Sequence, residues 1–335
     1  MQFGEVPLEE AAGGILAHKL YIGAKLILNK GHRLNDADIA RLGGLGIKRL
    51  VITRLSQADL HEDVAARRIG SAVIGDNLRM RAPGVGRANI TAAARGILHI
   101  DVPRLETINS LYDGITIASL RAHSLVSKGE MAALVKIVPF GVPAARVVDV
   151  ERICQESAVL QVRELQPKAV AMIVSGTEAT RERLLRSFHQ PVRRRIEGWG
   201  SHLMEPVFVQ HTAAAIAAAI QAQSQADLIL IASISAIIDR QDLVPTALRQ
   251  AGGSITLHGV PVDPGTLLLL GYLGDVPVVG APGCIKSPKT NVIDWVLPRL
   301  LSGEHLTRAD LVMMGHGGLL KDIAERPMPR SKTDG

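Results

Sequence analysis

The stretch KAVAMIVSGTEATRERLLRSFHQP (168–191) decides the fold class of this chain. Its opening, KAVAMIV (168–174), is a short and continuous apolar run, which is typical of a strand covered on both faces of a sheet. Ser175-Gly176-Thr177 then turns the chain into a helix pattern. We expect Pro191 to kink or restart that helix, because proline removes a backbone donor. One strand–turn–helix unit is therefore predicted here.

The same order recurs along the rest of the chain. Strands are predicted at MEPVFV (204–209), DLILIAS (227–233) and VPVVG (276–280), and helices at HTAAAIAAAIQAQ (211–223), DLVPTALRQAGG (242–253) and TNVIDWVLPRLL (290–301). Strands that alternate with helices predict a mostly parallel sheet with helices on both faces, an α/β fold of three αβα layers. Ligands of such sheets bind at the carboxyl ends of the strands. The residues of interest are therefore 175–178, 233–242, 263–266 and 280–287.

The N-terminal half has a different pattern and predicts a separate α/β unit. In NDADIARLGGLGIKRLVITRL (35–55), Asn35 is an N-cap candidate, and a short helix leads into a strand. The stretch 97–120 reads as a strand, a helix and a strand. We therefore predict two domains, residues 1–165 and 166–330. The polar ending RPMPRSKTDG (326–335) is expected to fray.

Composition and charge restrict the classes of function. The net charge is +6, but basic residues are mixed with acidic ones, and only 3% of residues are aromatic. Stacking platforms for bases are therefore scarce, and a small anionic ligand suits the charge better than nucleic acid. Two cysteines indicate a reducing compartment. Without a signal-peptide pattern, and with an apolar stretch (228–238) too short for a membrane helix of about 20 residues, a soluble cytoplasmic protein is expected.

Three stretches resemble the molybdopterin-binding domain shared by molybdopterin molybdotransferase and the molybdopterin adenylyltransferases. VAMIVSGTEATRERL (170–184) resembles the V-A-V-x-x-T-G-x-E-L opening of that domain. ADLILIASISAIIDRQDLVPTAL (226–248) stands where the family has A-D-x-x-x-T-G-G-[TS]-G, an Asp and a helix. GVPVDPGTLLLLGYLGDVPVVGAPGCIKSP (259–288) stands where it has a K-P-G-K-P-like turn, a helix, a strand and L-P-G-[NS]-P-x-S. The resemblance covers about 167–300.

The N-terminal half carries a second resemblance. GHRLNDADIARLGGLGIKRLVI (31–52) is similar to a segment of the molybdotransferase. VGRANITAAARGILHIDV (85–102) is similar instead to the molybdopterin-binding half of bacterial proteins that are fused to a cytidylyltransferase-like domain. The chain thus resembles that half most, and the family implies a role in molybdenum cofactor biosynthesis.

The resemblance implies a ligand and a set of residues that would bind it. The ligand is molybdopterin or a nucleotide form of the molybdenum cofactor, and Mg²⁺ is implied if chemistry occurs. The implied ligand-binding residues are Ser175, Gly176, Thr177, Glu178, Ser233, Ser235, Asp263, Gly265, Pro282, Gly283, Lys286 and Ser287. The implied catalytic acid is Asp242 or Asp239, with Asp242 as the Mg²⁺ ligand.

The sequence also departs from the family pattern. The paired glycines of T-G-G are replaced by Ala232-Ser233-Ile234-Ser235, so a different or weaker grip on phosphate is expected. Asp263 stands where a cation would meet phosphate, and it could instead contact the donors of the pterin ring or hold a metal.

Each motif also has a structural interpretation. Residues 175–178 could bind an anion or simply begin a helix. One of Asp239 and Asp242 could cap a helix while the other forms a surface ion pair. Cys284 is read as a small buried residue, with thiol contact to a ligand as the alternative. The histidines show no spacing of a zinc site.

Two functions remain open. One is a binding protein for the pterin, working with a separate nucleotidyltransferase or with an apo-molybdoenzyme. The other is an adenylyltransferase- or molybdotransferase-like enzyme with Mg²⁺-dependent phosphoryl or metal transfer. By analogy with the family, a homo-oligomer is expected.

Overall fold

A computed structural model describes residues 1–320, which form two compact units with the boundary after Arg163. The ending predicted to fray, 326–335, and residues 321–330 of the predicted second domain lie outside the described residues. Across residues 1–320, none of the helices is long and apolar enough to cross a membrane.

The first unit is an α/β unit with several small antiparallel sheets. Its helices are α1 (Asp36–Gly44), α2 (Glu62–Val73), α3 (Val102–Ser110) and α4 (Ala144–Ile153). Its strands are β1 (Gln2–Pro7), β2 (Ile15–Leu16), β3 (Leu20–Ile22), β4 (Lys25–Leu28), β5 (Arg49–Arg54), β6 (Asp59–His61), β7 (Leu78–Gly84), β8 (Arg87–Ala92), β9 (Gly96–Ile100), β10 (Ile115–Ser119), β11 (Leu125–Val126), β12 (Met131–Ile137), β13 (Gly141–Pro143) and β14 (Leu160–Glu164).

The largest sheet of this unit has the order β10-β12-β8-β7, and all its pairs are antiparallel. Helix α2 packs its buried face, which includes Ile69 and Val73, into the same core as Ile90 and Val135 of the sheet. Helix α1 begins at Asn35, whose side chain accepts from the backbone N–H of Asp38 in a capping box. The predicted cap and the strand–helix–strand order of 97–120 are confirmed.

The second unit contains the predicted mostly parallel sheet. Its helices are α5 (Arg181–Gly198), α6 (Ala213–Ala222), α7 (Leu243–Gln250), α8 (Val292–Leu301) and α9 (Arg308–Met313). Its strands are β15 (Ala169–Gly176), β16 (His202–Leu203), β17 (Val207–Gln210), β18 (Leu228–Ser233), β19 (Ser254–His258), β20 (Leu269–Leu273) and β21 (Val276–Gly280). The order is β16-β15-β18-β21-β20-β19, with β17 also beside β15.

Strands β15 to β18 and β21 run parallel, and β19 and β20 are antiparallel additions at one edge. Strand β15 is buried along nearly its whole length, as expected for a strand covered on both faces. Helices α6 and α7 share a core cluster with one face, which includes Ile173 and Ile231. Helix α5 buries Leu184 and Phe188 outside that cluster. The α/β fold class predicted from the sequence is thereby confirmed.

Two local expectations are corrected. Helix α5 continues through Pro191 as one element, so the helix does not restart there, and the alternative of a kink at Pro191 stays a prediction. The buried side chains Phe188, Val192 and Ile196 recur every four residues across the proline, and their packing offsets the lost hydrogen bond. The helix that the family resemblance implies before β21 is absent among the described residues. The stretch Leu269–Leu273 is strand β20 instead, because its leucines are buried between β19 and β21.

Candidate functional site at the carboxyl edge of the parallel sheet

Polar side chains gather where the central parallel strands end. Ser175 stands next to the end of β15 and is paired in register with Ser233, the last residue of β18. His211 directly follows the end of β17, the strand on the other side of β15. Because parallel strands end at the same edge of a sheet, residues far apart in sequence meet here.

These side chains form one hydrogen-bonded chain. The Ser175 Oγ donates to the Ser233 Oγ at 3.0 Å and also lies 3.0 Å from the Nδ1 of His211. The Nε2 of His211 lies 3.0 Å from the Oγ of Ser235. Ser175 is fully buried, whereas Ser235 is exposed. These hydrogen bonds therefore connect the interior of the sheet to the surface.

The number of protons that these side chains can donate assigns the tautomer of His211. A serine hydroxyl has one proton to donate, and Ser175 gives it to Ser233. The Nδ1 of His211 must then carry the proton and donate it to Ser175. The Nε2 is left with a lone pair, which accepts the hydroxyl proton of Ser235.

Two effects act on the protonation of His211. Partial burial lowers its pKa because desolvation disfavours the imidazolium, and the negative charge of Asp242 opposes that shift without cancelling it. His211 is therefore neutral at pH 7. The neutral form adds stability that is fully present above the pKa of an unfolded histidine, about 6.5, and is lost as the pH falls through the folded value.

The opposing effects of burial and of Asp242 on the pKa of His211 lead to a testable prediction. We expect His211 to titrate below the ordinary value of a histidine, about 6.5, in an NMR titration of the full chain. Asp242→Asn should lower the pKa of His211 further, because it removes the charge that raises it. An unchanged or raised His211 pKa in Asp242→Asn would contradict the electrostatic assignment.

The two candidate acids both bind backbone N–H groups. Asp242 is the N-cap of α7: its Oδ1 accepts from the N–H of Leu243 at 2.7 Å and its Oδ2 from the N–H of Ile238 at 3.1 Å. The Oδ1 of Asp239 accepts from the N–H of Gln241 at 2.7 Å. Asp242 therefore has a structural role in addition to the catalytic role implied by the resemblance.

These two carboxylates do not form a ready Mg²⁺ site. Mg²⁺ needs several oxygen ligands in near-octahedral order. Within residues 1–320, no group of three His, Cys, Asp or Glu ligands at metal-binding distance includes Asp239 or Asp242. Mg²⁺ can also be held by one or two carboxylates together with waters and substrate phosphates, so ligation by Asp242 stays a prediction.

The turn after β15 is built for local structure. Thr177 N–H donates to the Oγ1 of Thr180 at 3.1 Å, and a 3-10 helix, Glu178–Thr180, follows. The Glu178 side chain is exposed and forms a surface ion pair with Arg181. A Cβ on Gly176 would lie 2.7 Å from the Oγ1 of Thr180, so this glycine is required by packing.

The loop after β21 places its predicted residues against α5. Pro282 precedes a 3-10 helix, Gly283–Lys286. The ammonium of Lys286 lies 4.2 Å from the ring centre of Phe188, and the carbonyl of Ser287 accepts from Arg195 at 2.6 Å. Lys286 also lines a cavity of about 220 Å³ together with Arg194 and Arg195. Asp294 also lines the cavity and pairs with Arg195, so Lys286 and Arg194 supply the positive charge that suits an anionic group.

Cys284 is half-buried in the same loop. Burial raises the pKa of its thiol to about 11, so the thiol is protonated at neutral pH. This supports the interpretation of Cys284 as a small packing residue and not as a nucleophile.

Asp263 and Gly265 lie in a turn that packs on neighbouring segments. The backbone N–H of Asp263 donates to the carbonyl of Gly318 at 2.8 Å. Gly265 has a φ of +131°, and a Cβ there would lie 2.6 Å from the Cβ of Val292. The turn therefore packs against Val292, the first residue of α8, and fixes the start of that helix.

Of the residues predicted from the sequence, the structure joins Ser175, Ser233 and Ser235 directly through one chain of hydrogen bonds. The contacts of Lys286, Ser287 and Gly265 are with α5 and α8. His211 is the residue that sequence reasoning missed. Its signal was its position directly after a strand of a parallel sheet, where polar residues reach the ligand edge.

The loop after Ser233 adds hydrogen-bond donors. Within the part of the chain that the structure describes, the backbone N–H groups of Ser235, Ala236 and Ile237 make no hydrogen bond. The next N–H, that of Ile238, donates to Asp242. Successive N–H groups of a loop can together donate to a carbonyl or anionic oxygen of a ligand.

Comparison with known proteins gives one match in the first unit. Residues 5–54 match a family model described as a domain of unknown function, DUF8806. No curated protein matches the chain.

Several solved structures that are similar to this protein are those of molybdenum cofactor or molybdopterin biosynthesis proteins. One is a molybdenum cofactor biosynthesis protein from Pyrococcus furiosus, at 13% identity and a TM-score of 0.23, with 93% of this chain and 65% of that chain covered. Another is the molybdopterin biosynthesis MoeA protein from Pyrococcus horikosii, at 12% identity and a TM-score of 0.30, covering 90% and 75%. A third is molybdenum cofactor biosynthesis protein B, at 14% identity and a TM-score of 0.29, covering 41% and 95%.

The chain thus spans less than two thirds of the length of the first of these proteins. At such identities and TM-scores the matches assign no activity. The class of protein is defined by the fold and the edge site alone: an α/β protein with a polar carboxyl edge on a mostly parallel sheet.

Proposed function

We propose that the second unit, residues 164–320, binds a molybdopterin-type ligand at the carboxyl edge of its parallel sheet. The observation that carries this proposal is the hydrogen-bonded chain of Ser233, Ser175, His211 and Ser235 at that edge. Ser175 lies in the stretch 170–184, and Ser233 and Ser235 lie in the stretch 226–248, and both stretches resemble the molybdopterin-binding domain. His211 lies between the two stretches.

The chemistry of the edge suits a pterin ring. The ring carries N–H and NH₂ donors together with a carbonyl acceptor. Ser233 and Ser235 offer hydroxyl groups that both donate and accept, and the loop 235–237 offers N–H donors. The cationic cavity lined by Lys286 and Arg194 suits the phosphate of the same ligand class.

Calorimetric titration of the full chain with molybdopterin under anaerobic conditions tests the proposal. We expect saturable binding. Ser233→Ala should weaken it by about 2- to 10-fold, the effect of one hydrogen bond. Ser224→Ala, at an exposed serine outside the edge, is the matched control and should bind as the unmodified protein does. Absence of binding heat would overturn the proposal.

A transferase activity is the alternative, and the resemblance of residues 226–248 favours it, because Asp242 follows strand β18 where the family has its Asp. An assay of product formation with Mg-ATP or Mg-CTP and molybdopterin separates the two functions. Turnover that falls in Asp242→Asn favours the enzyme, and Asn still caps α7. Binding without turnover favours a binding protein that presents the pterin to a separate nucleotidyltransferase or an apo-molybdoenzyme.

Gly283→Ala tests whether the loop after β21 approaches the ligand. A Cβ at Gly283 would meet no atom within 4 Å, so we expect the free energy of unfolding to stay within about 0.5 kcal/mol. If the ligand packs against this backbone, affinity should fall by about 10-fold or more, because a methyl group would stand in its place. Unchanged affinity would remove Gly283 from the binding surface.

A further inference from the structure

Ser235 is the surface end of the hydrogen-bonded chain. Its side chain is exposed, so a solute can reach its hydroxyl, whereas Ser175 at the inner end is fully buried. The Nε2 of His211 lies 3.0 Å from the Oγ of Ser235 and bears the lone pair. The Nδ1–H of the same ring is held by Ser175 at 3.0 Å. The Ser235 hydroxyl, the His211 base and the Ser175 hydroxyl that orients this base are therefore linked by consecutive hydrogen bonds.

We propose that Ser235 is a nucleophile, with His211 as its general base and Ser175 as the residue that positions the base. Nucleophilic catalysis requires this arrangement: the hydroxyl within hydrogen-bond reach of a base, which a third group holds in one tautomer. The inference goes beyond pterin binding and does not depend on it.

The surroundings select a small, uncharged carboxylic ester as the substrate class. The charged group that acts on His211 is the carboxylate of Asp242, at the N-cap of α7, and a negative charge there disfavours the approach of an anionic phosphate. The same charge stabilises the imidazolium that forms during the reaction. The unbonded N–H groups of loop 235–237 are donors for the carbonyl oxygen of the ester.

The reaction balances with water as the second reactant. The Oγ of Ser235 bonds to the carbonyl carbon while its proton passes to the Nε2 of His211. The C–O bond to the leaving alcohol then breaks, and the imidazolium protonates that alcohol. Water next attacks the acyl-Ser235 with His211 again accepting a proton. The acyl–serine bond breaks as the imidazolium returns its proton to the Oγ of Ser235, and the carboxylic acid leaves.

Acetylation of the full chain with p-nitrophenyl acetate tests the proposal. We expect release of p-nitrophenolate and one acetyl group on the peptide that contains Ser235, found by mass spectrometry. Ser235→Ala should abolish that label. His211→Gln should slow it by about 100-fold or more, as expected for loss of a general base. Ser175→Ala should also slow it, and Ser175→Thr, which keeps the hydroxyl, should restore it.

Two exposed residues outside the site provide controls: Ser224→Ala and His202→Gln should label as the unmodified protein does. In the unmodified protein, the rate should rise with pH to a plateau, with its midpoint below about 6.5. This profile needs no variant and so does not depend on the folding of His211→Gln. A label spread over other residues, a label at Ser235 that His211→Gln does not slow, or a rate without that profile would overturn the proposal. Pterin binding is measured separately by calorimetry, so each proposal fails by its own result.

Discussion

Replacement of Gly265 by Ala is expected to lower the free energy of unfolding of the second unit by about 2–6 kcal/mol. Two costs add. The backbone at Gly265 has a φ of +131°, where a side chain is strained by about 1–3 kcal/mol. The new Cβ would also lie 2.6 Å from the Cβ of Val292, and overpacking costs about 1–3 kcal/mol.

The measurement is urea unfolding followed by tryptophan fluorescence. The only two tryptophans of the sequence are Trp199 and Trp295, and both lie in the second unit, so the signal reports on that unit alone. Gly283→Ala is the matched control, since it adds the same methyl group where nothing lies within 4 Å. Equal stability of the two variants would show that the turn can move away from α8.

A second large loss is expected for Arg299→Met. The guanidinium of Arg299 is buried and donates to Glu304 at 2.8 Å and to Asp310 at 3.1 Å. Methionine fills similar space without the charge, so the buried carboxylate of Glu304 loses its ion pair with Arg299, although the hydroxyl of Ser302 still donates to it. Removing one member of a buried ion pair costs about 3–5 kcal/mol.

The exposed Arg308, on α9, gives the matched control, and Arg308→Met should change stability by no more than about 0.5 kcal/mol. The Arg299→Met effect should also depend on pH. Burial alone would raise the pKa of Asp310, but hydrogen bonds from Thr307 and Arg299 hold it below its ordinary value. The stability from this group is therefore present above about pH 4 and lost as the pH falls through the folded pKa.

In acid, the difference between the unmodified protein and Arg299→Met should accordingly shrink, because Asp310 is then protonated in both. A difference that stays constant from neutral pH down to pH 3 would show that Arg299 stabilises the fold through the packing of its side chain and not through its charge. Unfolding in urea at several pH values, again followed by tryptophan fluorescence, makes this comparison.

Gly265 and Gly283 show why the family motif alone could not assign a role to each glycine. The family resemblance implied that Gly265 and Gly283, which both stand in loops, bind the ligand. The structure gives Gly265 a packing reason and leaves Gly283 open. A glycine in a sequence indicates close approach of some group, but only the neighbours in space show whether that group belongs to the protein or to a ligand.

The candidate acids show the same limit. Asp242 matched the family pattern as a catalytic residue, and helix capping was the structural alternative. Both oxygens of its carboxylate accept backbone N–H groups, at Leu243 and Ile238, so the capping role is present. Its effect on His211 is through space and could not be read from residues 31 positions apart.

The sequence by itself determined strands β15, β17, β18 and β21 and helices α5 to α8 of the second unit, together with the edge where polar residues would meet. Apolar runs such as 168–174 are local patterns, and burial on both faces of a sheet follows directly from them. Tertiary structure decided the site, since Ser175 meets His211 and Ser233 across 36 and 58 positions of the chain. It also decided that Leu269–Leu273 is a strand and that α5 continues through Pro191, because neighbouring segments supply the packing that local preference lacks.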